Sequence, residues 1–86
     1  MVDFEIIWDR IVHFQGEEFR TKTNLSFTYT IANNVLIPSR TDFNLSKENF
    51  RRAYLDLPVR NVSDFSDDVM GPSYVWGIFN DERIIG

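Results

Sequence analysis

The chain has 86 residues, a formal net charge of −4, one histidine and no cysteine. Disulfides, zinc–thiolate sites, iron–sulfur clusters, cysteine nucleophiles and multi-histidine metal sites are therefore excluded. At this length the chain supports one modest core, and 8 Phe, 3 Tyr and 2 Trp supply its bulk.

The first predicted element is a helix over residues 4–15. Asp3 suits the N-cap. Phe4, Ile7, Trp8, Ile11 and Val12 then fall at i, i+3, i+4, i+7 and i+8, one apolar stripe at helical period. Gly16 follows in the place of a terminating glycine. From Glu18 the period becomes two. Phe19 alternates with Arg20 and Thr21 with Lys22; Leu25, Phe27, Tyr29 and Ile31 alternate with Ser26, Thr28 and Thr30. Asn33 and Asn34 tolerate the positive φ of a tight hairpin, Val35–Ile37 returns, and Pro38 ends the strand. The spacing predicts a three-stranded antiparallel meander over residues 18–38. Ser39 to Asn44, which includes Phe43, reads as a polar connector.

A second helix begins at Ser46. Phe50, Ala53, Tyr54 and Leu57 form its stripe, and Pro58 stops it. Phe50 is expected to pack on the Phe27/Tyr29 face of the sheet. Ser63 can cap a short helical turn containing Phe65, Val69 and Met70. Gly71 breaks it, and Pro72 opens a further helix with Val75, Trp76 and Phe79 on one stripe. Gly77 would let that helix approach a neighbour. Asn80 can end it in left-handed backbone. The tail from Asp81 to Gly86 reads as a short edge segment or a disordered end. The fold class is α+β: an N-terminal helix, a three-stranded antiparallel meander, then two or three short helices packed on one sheet face. No linker or repeat interrupts the chain, so residues 1–86 form a single α+β domain.

Charge is segregated. Residues 1–18 and 61–86 each carry −4, and residues 19–60 carry +4. The basic middle holds Arg20 and Lys22 on the first strand, Arg40 and Thr41 in the connector, and Lys47, Arg51 and Arg52 on the second helix. Cationic and hydroxyl groups in this density suit phosphate contacts. The competing reading is internal pairing, with Glu48 against Arg52 and Arg40 against Asp42.

Catalytic signals are weak. His13 falls on the face of the first helix opposite the apolar stripe, with no cue to a nucleophile or an orienting acid. Asp64, Asp67 and Asp68 cluster, but no loop motif presents them together, so neither a metal site nor a cofactor is expected. The four glycines are too dispersed for a phosphate loop. Asn24, Asn44 and Asn61 each open an Asn-X-Ser triplet; each is expected to mark a turn or a helix start. No segment approaches the ~20 apolar residues of a membrane span. The acidic N-terminus lacks the basic and apolar regions of a leader, so the expected location is the cytoplasm.

The segments Gly16–Thr23 (GEEFRTKT), Pro38–Thr41 (PSRT), Leu45–Phe50 (LSKENF) and Gly71–Trp76 (GPSYVW) together resemble a small, widespread microbial domain. The resemblance covers most of the chain. It implies no activity and no functional residue.

The expected function is a non-enzymatic small binding module that contacts nucleic acid through Arg20, Lys22, Arg40, Thr41, Lys47, Arg51 and Arg52. The alternative is an acidic protein-binding adaptor or inhibitor working through an aromatic and acidic surface around Ser73, Tyr74 and Trp76. The basic side chains separate the two. Convergence on one face favours nucleic acid; pairing with acids favours a protein partner.

Overall fold

The computed structural model describes residues 3–42 and 44–85. Phe43 of the connector and Gly86 of the tail lie outside the described residues. The order is α1 (Phe4–His13), β1 (Phe19–Arg20), β2 (Ser26–Phe27), β3 (Tyr29–Ala32), β4 (Val35–Pro38), β5 (Leu45–Ser46), α2 (Lys47–Leu55) and α3 (Pro72–Phe79). A 3₁₀ turn at Val62–Asp64 lies between α2 and α3. The class is α+β. No helix among the described residues is long and apolar enough to cross a membrane.

α1 buries Phe4, Ile7, Trp8 and Ile11, the stripe its period predicts. Asp3 occupies the N-cap position in extended backbone, but its carboxylate makes no capping bond. Gly16 takes φ +88, the left-handed backbone for which a glycine costs least. Its N–H donates to Tyr29 O at 2.8 Å, and Gln15 Oε1 accepts from Ile31 N at 3.0 Å. The turn after α1 thus covers the outer edge of β3, where unpaired backbone groups would otherwise invite another strand.

The strands divide differently from the predicted meander. β1 pairs β2 alone, with Phe19 opposite Phe27 and Arg20 opposite Ser26. A second sheet runs β3–β4–β5, and its third strand is Leu45–Ser46, where the sequence reading left Leu45 unassigned and placed Ser46 at the helix start. The division falls at Thr28. Its N–H bonds to Ser39 Oγ, and its carbonyl accepts from Ser39 N, so the chain leaves β1 at Phe27 and takes β4 from Tyr29. The alternation of Leu25 to Ile31 is unbroken in sequence; the change of partner is a tertiary event. Asn33 and Asn34 take φ +52 and +61, as the hairpin requires.

Ser46 caps α2 by accepting from Asn49 N at 3.2 Å. Phe50 is fully buried, but its ring neighbours are Trp8 (5.7 Å) and Phe79 (5.8 Å), not Phe27 and Tyr29. Phe19 packs against Phe27 and Tyr29 in its place. The second helix therefore docks between the first and the third. α3 crosses β1 so closely that a Cβ on Gly77 would collide with Arg20 O. Pro72 opens α3 as expected, but Asn80 ends it at φ −98, outside the left-handed region. Asn61, not Ser63, stands at the N-cap of the short turn: its backbone carbonyl accepts from Asp64 N at 3.0 Å, and Asp64 Oδ2 accepts from Asn61 N at 3.1 Å.

From Asp81 to Ile85 the tail forms turns, not an edge strand. It turns back and fully buries Ile84. Arg10 Nη1 donates to Ile84 O at 2.8 Å, and Arg83 Nη2 to Glu18 O at 2.7 Å.

Candidate functional site

The basic residues of the middle segment meet different partners. Arg20 bonds Glu18 at 3.1 Å and reaches Asn24. Lys47 and Arg51 converge, but on Glu5 of α1, at 2.8 and 3.0 Å. Arg51 also bonds Glu48 at 3.0 Å, the acid that the helical spacing assigns to Arg52. Arg52 instead pairs with Asp68. Thr41 is engaged within the chain. Arg40 is exposed and forms no ion pair with Asp42. The Glu5 carboxyl is held below its usual range, first by the hydrogen bond from Lys47 and then by Arg51. The Arg51 guanidinium is held above its usual value by Glu48 and Glu5.

Lys22 meets no carboxylate. Its Nζ donates to Arg60 O at 2.7 Å and to Asn61 Oδ1, two neutral acceptors, and lies 5.8 Å from the Trp76 ring centroid. The Trp76 indole N–H donates to the same Arg60 carbonyl at 3.2 Å. Lys22 and Trp76 thus fasten the 60–61 backbone to β1 and α3.

Beside this fastening lies an open groove of about 700 Å³. Lys22 and Thr23 of the β1–β2 turn form one wall. The stretch from Asn61 to Val69 forms another, and Pro72 and Ser73 close the end at the start of α3. Phe65 and Val69 are buried and supply its apolar floor. Its rim is polar, with Thr23, Ser63, Ser66, Asp67 and Ser73. Ser66 Oγ is buried and has no hydrogen-bond partner among the described residues.

Of the aromatic alternative, Ser73 is exposed and lines the groove, while Tyr74 and Trp76 stand behind it. Tyr74 packs edge-on to Phe27 at 5.0 Å. Trp76 lines a smaller hollow of about 370 Å³ with Arg20, Asn80 and Arg83. The groove itself escapes sequence reasoning, because only the fold brings Lys22 and Thr23 against residues 61–73. The one usable signal was the run of Ser and Asp from Asn61 to Asp68.

The acidic cluster does not converge. Asp64 turns onto its own backbone and Asp68 onto Arg52, while Asp67 faces the groove. Among the described residues, no group of three His, Cys, Asp or Glu side chains is placed to hold a metal. His13 is exposed, with its ring edge-on to Phe14 at 4.8 Å.

Comparison with protein-family models, with curated proteins and with solved structures finds no match to this chain.

Proposed function

We propose that this chain is a non-enzymatic protein-binding module, an adaptor or inhibitor, that takes an extended segment of a partner protein in the groove beside the start of α3. The observation that carries this reading is where the basic side chains are spent. Arg20, Lys47, Arg51, Arg52 and Arg83 each meet a carboxylate of the same chain. Asp3, Asp9, Glu17, Asp42, Asp67 and Glu82 form no ion pair among the described residues. The field left over is negative, which repels a phosphate backbone. A groove with an apolar floor and a hydrogen-bonding rim suits a peptide: the floor takes a side chain, and the rim takes main-chain groups. The cysteine-free chain favours a cytoplasmic setting for this role.

The test is selection of a randomised peptide library on the immobilised protein. Enriched peptides and short single- and double-stranded oligonucleotides are then titrated into the ¹⁵N-labelled protein. Peptides are expected to shift the amides of Thr23, Ser63, Ser66 and Ser73, and oligonucleotides to leave the spectrum unchanged at physiological salt. Oligonucleotide shifts centred on Arg40, Lys47 and Arg51, weakening steeply with salt, would restore the nucleic-acid reading.

A further inference from the structure

The groove has two charged side chains in its lining, Lys22 and Asp67, and they are of opposite sign. Neither meets an ionic partner. Lys22 spends two donors on neutral acceptors, and an ammonium has three. Asp67 is exposed, with no hydrogen bond or ion pair among the described residues, and it is not paired with Lys22. A positive pole, a negative pole and the apolar residues Phe65 and Val69 therefore line one groove.

We infer that the groove selects a bipolar peptide segment, one that carries both a carboxylate and an ammonium or guanidinium group together with an apolar residue. The carboxylate meets Lys22, the cation meets Asp67, and the apolar residue sits over Phe65 and Val69. A segment of uniform charge would set like charge against one pole, which costs more than a missing contact. The inference rests on the peptide-binding reading above.

The test uses the peptides enriched on the wild-type protein. They are expected to carry an acid, a base and an apolar residue, and to bind more weakly as salt rises. Asp67→Lys should weaken them about tenfold, and replacing the peptide's basic residue with Glu should restore binding to that variant. Asp67 makes no bond within the chain, so this substitution tests recognition and not folding. Lys22→Gln, checked for an unchanged melting temperature, probes the other pole. The bipolar inference fails if groove amides shift but both variants bind within about twofold of wild type, and the binding-module reading then survives. Should the enriched peptides shift no groove amide, both fail together.

Discussion

Two arginines in this molecule sit in nearly the same arrangement. Arg51 bonds Glu5 and Glu48 and lies over the Phe4 ring at 5.0 Å. Arg83 bonds Asp81 and lies over the Phe19 ring at 4.0 Å. The first joins α1 to α2; the second joins the tail to β1. Their surroundings differ. The Glu5 side chain is 51% exposed and the Arg51 side chain 42%, against 23% for Asp81 and 33% for Arg83. Arg83 also donates to Glu18 O, so one guanidinium ties two backbone segments. An ion pair's worth follows its desolvation and its other bonds, not its presence. The α1–α2 seam must therefore rest on what lies beneath its charges, while the tail draws on both its charges and its core residue.

The largest effect should come from beneath the seam. Phe50→Ala removes a ring held between Trp8 and Phe79, and should cost about 3–5 kcal/mol by chemical denaturation. A loss under about 1 kcal/mol would mean the seam is held by its charges after all. Next comes the tail. Ile84→Ala should cost about 2–5 kcal/mol, because Ile84 has no exposed surface. An unchanged midpoint would show that Arg10 and Arg83 hold the tail without its core residue.

A smaller effect is expected where α1 ends. Tyr29 Oη donates to Ile11 O at 2.6 Å, satisfying a carbonyl in the last turn of the helix. Tyr29→Phe should cost about 1–2 kcal/mol. Burial holds the Tyr29 phenol well above its ordinary value of 10.0. The fold favours the neutral form, so this contribution is whole below pH 10 and is lost as pH rises above it. Tyr29→Phe should flatten that alkaline decline; a decline of equal slope would assign it to another group.

The smallest effect belongs to the exposed charges. Glu5→Gln should destabilise slightly at low salt and hardly at all at high salt. Lys47 and Arg51 depress the Glu5 carboxyl, so the fold favours the ionised form. Its contribution is present above the ordinary 4.5 and lost as pH falls through the lowered value. Asp81 is depressed by Arg83 in the same direction. Thermal melts of Glu5→Gln and Asp81→Asn across acid pH, at two salt concentrations, compare the seam with the tail directly. A loss in Asp81→Asn that is as sensitive to salt as that in Glu5→Gln would erase the distinction drawn between them.

The elements that sequence determined are those whose causes are local. The i, i+4 stripe of α1, the Ser46 cap, the paired asparagines of the hairpin and Pro72 at the start of α3 each act within one or two turns of chain. Their physics is complete in a short window. What tertiary structure decided is partner choice. Leu25 to Ile31 alternate without a break, yet the chain changes sheets at Thr28 because Ser39, eleven residues away, takes both of its backbone groups. Glu48 could serve Arg51 or Arg52 by spacing alone. It serves Arg51, which Glu5 anchors from the other side, and Asp68 takes Arg52. The tail reads as an edge segment or a disordered end, yet Ile84 is core. The groove joins Lys22 and Thr23 to residues 61–73, and no window contains both. Side-chain type fixes what a residue can bond; which bond forms depends on segments that only the folded chain brings within reach.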